Sequence, residues 1–214
     1  MYLNCHSYFS MRYGTIPPEE LPELAKRAGV EVLVLTDINN TSCAFSFVSA
    51  CRKAGIRPVL GIEFRQDGQF LYTGIARNDE GWKELCGLLT RCSVEGEALP
   101  AEAPLLEHCY VVYRKLPGSV AQLRDYEYVG VRPEEANRLY SSYLKHHTDR
   151  LVVFSPVTFA DEDGFRVHRL LRCIDLNIVI GRLQPADCAR STEVLHPPGY
   201  LEEVFQAYPQ ILEN

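Results

Sequence analysis

A chain of 214 residues with 46% hydrophobic and 23% charged residues has the composition of a soluble globular domain, large enough to bury a core without metals or disulfides. Its net charge of -6, with no long basic run, excludes tight independent binding to nucleic acid, which needs clustered positive charge. No apolar stretch reaches the length of a membrane span, and Met1-Tyr2-Leu3-Asn4 opens neither a basic nor a long apolar leader, so no membrane association and a cytoplasmic location are expected.

Residues 2–5 (Tyr-Leu-Asn-Cys) read as a short first strand. Pro17 and Pro18 then open a helix, where a missing N–H costs little, with Leu21, Leu24, Ala25 and Ala28 on its buried face and Gly29 as its cap. Residues 30–36 form a nearly unbroken apolar run suited to a strand covered on both faces. Ala44, Phe47, Val48 and Cys51 mark a second helix, closed by Gly55. Residues 58–64 make a third strand, and Asp67-Gly68 a tight turn into a fourth over 69–76. A helix carrying Trp82, Leu85, Cys86 and Leu89 follows, then an acidic, proline-bearing surface loop over 95–107.

Strands over 109–113, 126–131 and 151–154 come next, with a helical face at Ala136, Leu139, Tyr140 and Tyr143 before the last of them. Val167, Leu170, Leu171 and Ile174 mark another helix face, and Leu201, Val204, Phe205 and Tyr208 the final one. Such alternation implies a parallel sheet with helices outside. A closed or nearly closed α/β barrel suits this length better than an open sheet. Residues 210–214 carry neither a Gly cap nor a polar tail, which reads as a piece of a longer protein. The eight cysteines are irregularly spaced without a C-x-x-C pair, so reduced thiols packed as small hydrophobes are expected.

Three candidate site residues follow the first three strands: His6, Asp37 and Glu63. Catalytic side chains in α/β barrels come from the C-terminal ends of strands. An imidazole and two carboxylates meeting there could hold Zn or Mn and activate water on a phosphoester. The alternative is coincidence, with Asp37 a helix cap. His146 and His147 read as an exposed helix end, His196 as a turn residue and His108 as isolated. His168, among Arg166, Arg169 and Arg172, reads as a solvated or hydrogen-bonded surface group on a polar helix face. No Gly-rich phosphate loop and no Ser/His/Asp or Cys/His pairing stands out.

Several stretches together resemble the PHP (polymerase and histidinol phosphatase) domain of bacterial replicative polymerases. Residues 4–10 (Asn-Cys-His-Ser-Tyr-Phe-Ser) resemble its opening motif, Leu35-Thr36-Asp37-Ile38-Asn39-Asn40 its second, and residues 53–63, ending Gly61-Ile62-Glu63, its third. Residues 76–81, 167–174 and 208–214 resemble later segments in family order, and Thr-Asp-Ile-Asn-Asn resembles the Bacteroidetes type.

The resemblance implies one α/β domain over 1–214, a distorted seven-stranded (βα) barrel of TIM-like form, with 198–214 a helix leading toward a polymerase palm. It also implies a depleted metal site. Ligands of active members fall on Asn4, Ile38, Leu71, Pro156 and Thr158, leaving His6, Asp37 and Glu63 as remnants. Aliphatic and proline side chains cannot donate to a metal. No catalytic residue and no cofactor are therefore expected. The implied role is a non-catalytic scaffold of a DNA polymerase III alpha subunit. Its partners would be the palm and thumb of the same chain and the proofreading exonuclease, with DNA reached only through the full polymerase. The alternative is a residual Zn- or Mn-dependent phosphoesterase, a 3′–5′ exonuclease or pyrophosphatase, using His6, Asp37 and Glu63.

Overall fold

The computed structural model describes all 214 residues. The order is β1 (Tyr2–Cys5), α1 (Leu21–Arg27), β2 (Val32–Leu35), α2 (Ala44–Ala54), β3 (Arg57–Gln66), β4 (Gln69–Ala76), α3 (Asp79–Val94), β5 (Cys109–Tyr113), β6 (Glu127–Val131), β7 (Leu151–Val153), α4 (Glu162–Leu176), α5 (Tyr200–Val204) and α6 (Gln210–Glu213). Each strand pairs with its neighbours in sequence, in one seven-stranded sheet of order β1 to β7.

The sheet is mixed, which corrects the expectation of a parallel one. β1–β2–β3 and β5–β6–β7 are parallel, while β4 runs antiparallel to both β3 and β5. The reason is the Asp67-Gly68 turn. Both residues take positive φ (50° and 75°), the backbone that a two-residue hairpin needs, so β4 reverses at once instead of crossing over through a helix.

The sheet curls until its first strand meets the segment after its last. Cys5 bridges Val157 in parallel: the Val157 N–H donates to Asn4 O (2.9 Å) and the His6 N–H to Val157 O (2.8 Å). Each strand sends one side chain inward, from Leu3, Val34, Val59, Ile75, Val112, Tyr128 and Val152. These seven line a mostly apolar cavity of about 540 Å³ at the N-terminal end of the barrel. Outside, Leu21, Ala25, Phe47 and Cys51 of α1 and α2 cover β1–β3, and Leu85, Leu88, Phe205 and Ile211 cover β3–β7.

Three helical expectations need correction. Residues 133–141 form a 3-10 helix: Ala136 and Leu139, three apart, are buried, and Tyr140 and Tyr143 are exposed. A period of three keeps 136 and 139 on one side and rotates 140 outward. Residues 198–214 do not form one helix. α5 stops before Phe205 and α6 starts after Pro209, whose ring disfavours helix in the residue before it. In α4 the apolar row faces solvent, with Val167, Leu170 and Ile174 all exposed, and the side chains it buries are His168 and Cys173.

Candidate functional site

The C-terminal ends of the parallel strands form the mouth of the barrel. Asn4 and His6 sit two apart around the end of β1 and so share a face, as do Glu63 and Arg65 of β3. The loop after His6 folds back so closely that a Cβ on Gly14 would lie 1.9 Å from Ser7 O. Only glycine fits there.

Of the three candidate site residues, the fold joins two. His6 Nε2 lies 3.2 Å from Glu63 Oε2, and Asn4 Nδ2 donates to the same oxygen at 2.8 Å. Asp37 is held apart from them. Its Oδ1 accepts from the Ser7 N–H and Ser10 Oγ, both at 2.7 Å, and its Oδ2 from Ser7 Oγ (2.7 Å) and Cys43 Sγ (3.0 Å). Four donors on two oxygens make Asp37 the anchor of the first loop. Ser7 and Ser10 carry that role and were not singled out in the sequence.

A continuous polar chain crosses the mouth. Thr158 Oγ1 donates to Glu193 Oε2 (2.7 Å), and His6 Nδ1 lies 3.1 Å from that hydroxyl. Glu193 Oε1 accepts from Arg132 Nη1 (3.0 Å) and from the Arg190 N–H (3.3 Å). Since the Thr158 proton points to Glu193, the hydroxyl can only accept from His6. The other ring nitrogen faces the Glu63 carboxylate at 3.2 Å. At the far end Arg65 Nε donates to Glu63 Oε1, and its guanidinium stacks 4.2 Å over the Tyr13 ring.

Electrostatics match this geometry. Burial alone would raise the Glu63 carboxyl, but Arg65, His6 and Asn4 outweigh it and hold it at about 2, below its ordinary 4.5. Arg65 is shifted upward, Glu63 overcoming the opposite effect of burial. Burial raises the Tyr13 phenol to about 12.

Three lost-ligand positions lie at the mouth. Asn4 and Thr158 belong to the polar chain, and Pro156 lines the opening. Ile38 packs beside Tyr13, Phe159 and Ala189. Leu71 packs against the outer core, and Thr73 is the β4 residue that reaches Asn4 (3.3 Å). No group of three or more His, Cys, Asp or Glu side chains could hold a metal ion. Both nitrogens of His6 and both oxygens of Glu63 are already committed, with a guanidinium on one of those oxygens. The residues present do not fit a metal cluster.

His168 corrects the reading of it as a surface group. It is buried: its Nε2 accepts the Ala189 N–H (2.8 Å), so its Nδ1 carries the proton donated to Tyr13 O (2.7 Å). Burial lowers its pKa, against the pull of the Tyr13 carbonyl. The ring ties α4 to the mouth loop.

Five further mouth residues escaped the sequence reading. Arg65, Arg114 and Arg132 sit at or just past the ends of β3, β5 and β6, where the strand-end rule could have found them. Arg190 and Glu193 lie in an irregular segment that carries no periodic signal.

The family model described as "PHP domain" matches residues 3–155. An error-prone DNA polymerase of Symbiobacterium thermophilum is 24% identical over 262 aligned residues, covering 100% of this chain and 24% of that protein. A DNA polymerase III subunit alpha of Buchnera aphidicola subsp. Schizaphis graminum is 29% identical over 102 residues, covering 45% of this chain and 9% of that protein. The chain thus spans a quarter or less of the length of these relatives. A solved structure from Bifidobacterium adolescentis, named as a candidate metal-dependent phosphoesterase, covers 97% of this chain with 63% of its own, at 12% identity and a TM-score of 0.39. No helix is long and apolar enough to cross a membrane. With a family match over more than half its length and motifs set at successive strand ends of a curled seven-stranded sheet, this chain belongs to the PHP domain family.

Proposed function

We propose that the chain is the PHP domain of a polymerase of the DNA polymerase III alpha type. In this reading it is a non-catalytic module that packs on the palm and thumb of the same polymerase and docks the proofreading exonuclease. The names of its relatives support the polymerase context. The observation that carries the docking role is the uncovered apolar row of α4: Val167, Leu170 and Ile174, continued by Val179 and Ile180, all exposed. Contiguous apolar surface of this kind on a globular domain marks a contact site. Titrating the cognate exonuclease into this chain and into the full polymerase subunit tests it. Saturable binding is expected, weakened at least about tenfold by Leu170→Glu, which puts a charge into a desolvated contact. Failure of both preparations to bind would end the docking reading.

The second reading, a residual metal-dependent phosphoesterase built on His6, Asp37 and Glu63, meets Asp37 turned away into its serine cage. Elemental analysis of the purified chain after dialysis against Mn or Zn is expected to find no stoichiometric metal, and assays with either ion no phosphoesterase turnover. A bound ion with turnover that falls in Glu63→Gln would reverse that conclusion.

A further inference from the structure

The mouth of the barrel carries more guanidinium N–H donors than its hydrogen bonds consume, although each arginine has one carboxylate partner. Arg65, Arg114, Arg132 and Arg190 line one cavity of about 250 Å³ together with His6, Glu63 and Glu193. A guanidinium has five N–H donors. Arg65 uses Nε on Glu63 and shares its guanidinium with the Tyr13 side chain beneath it, leaving part of its donor fork for a ligand. Arg132 uses Nη1 on Glu193 and leaves Nη2 and Nε. Arg190 has a single side-chain contact, Nη1 at 3.5 Å from Glu134. Arg114 is fixed from behind by Glu135 (2.7 and 2.8 Å) and by Gly130 O.

The two lining carboxylates do not oppose an incoming anion on equal terms. All four of their oxygens already accept hydrogen bonds, from Arg65, Asn4 and His6 on Glu63 and from Arg132, the Arg190 N–H and Thr158 on Glu193. The arginines crowd one another: burial lowers the Arg114 pKa, and Arg132 and Arg190 lower it further against the pull of Glu135. A bound anion would relieve that repulsion, and its charge-assisted bonds would form in a partly water-excluded site, where they are strong. The cavity is smaller than the roughly 300–1,000 Å³ that enclose a drug-sized ligand, so it fits the charged head of a ligand.

We infer that this four-arginine mouth is an anion site that takes a phosphate group directly on guanidinium, without a metal. The group could arrive as free phosphate or as the ester end of a nucleotide. The site is independent of the docking reading, which concerns α4, so either can fail alone.

The test is equilibrium titration of the 214-residue chain at fixed ionic strength in chloride with inorganic phosphate, and in a second arm with a deoxynucleoside 5′-monophosphate. Saturable one-to-one binding is expected, with sulfate competing, weakened about tenfold by Arg190→Gln and by Arg132→Lys. Arg190 is half exposed, so its loss does not endanger the fold, and lysine at 132 keeps a charge for Glu193 while losing the fork. Equal affinity in the two arms identifies free phosphate, and tighter nucleotide binding identifies the ester; both support the site. Absence of saturable binding in both arms, or binding unchanged by both substitutions, overturns it.

Discussion

Replacing Glu63 with alanine is expected to destabilise the chain by roughly 3–5 kcal/mol, the usual cost of stripping one partner from a buried ion pair. The residue is 1% exposed and Arg65 stacks beside it over Tyr13. Without the carboxylate, Arg65 keeps a largely desolvated charge, and His6 and Asn4 each lose an acceptor. Equilibrium denaturation at neutral pH with a chelator present measures this. The outcome separates two histories for the same side chain. A carboxylate kept only to bind metal repels its neighbours in the metal-free protein, and its removal would be neutral or stabilising there. A loss below about 1 kcal/mol, the scale of an exposed pair, would sink the view that Glu63 is the structural counter-ion of Arg65. The acid limb carries the same signature. The Glu63 carboxyl is lowered from 4.5 to about 2 in the folded chain, so its stabilisation is complete above about 4.5 and drains away as pH falls toward 2.

His168→Ala is expected to cost roughly 2–4 kcal/mol. It orphans the Tyr13 carbonyl and the Ala189 N–H, about 1–3 kcal/mol for each buried unsatisfied group, and partial relaxation of the surrounding loop offsets some of that. It also changes the pH response. Burial lowers the His168 pKa below its ordinary 6.5, so the unfolded chain takes up the proton first. Stability from this group is therefore present above about 6.5 and falls as the solution is acidified below it. Denaturation midpoints at about pH 7.5 and about pH 5.5 should differ in the parent chain and differ less in His168→Ala. His196, also lowered by burial, contributes a slope of the same sign that remains in the variant. Identical slopes in parent and variant would show that His168 is not held neutral by the fold.

Much of the barrel was legible because its signals are local. Apolar runs located all seven strands, and Asp67-Gly68 located the hairpin that reverses β4. Asn4, His6 and Glu63 meet because they sit on strand ends, which sequence order and strand-end chemistry foretell. Side-chain direction was harder. A helical wheel shows that α4 has an apolar row and a charged row, but which row meets the core depends on neighbours far away in the chain. A wheel alone therefore puts His168 at the surface, whereas the fold buries it. Asp37 illustrates the same limit: its position after β2 was clear, while its capture by Ser7, Ser10 and Cys43 depends on how the first loop folds back through Gly14. Glu193 and Arg190 lie in an irregular stretch, where periodicity says nothing.

The closing seam of the barrel and the polar chain of the mouth are built from the same few residues. Val157 bonds the backbone on both sides of Cys5, and one step further along the two segments His6 reaches Thr158. Any breathing motion that widened this opening would have to break two main-chain bonds and the side-chain relay together. Opening the seam and disordering the relay are therefore one coupled event, each raising the cost of the other.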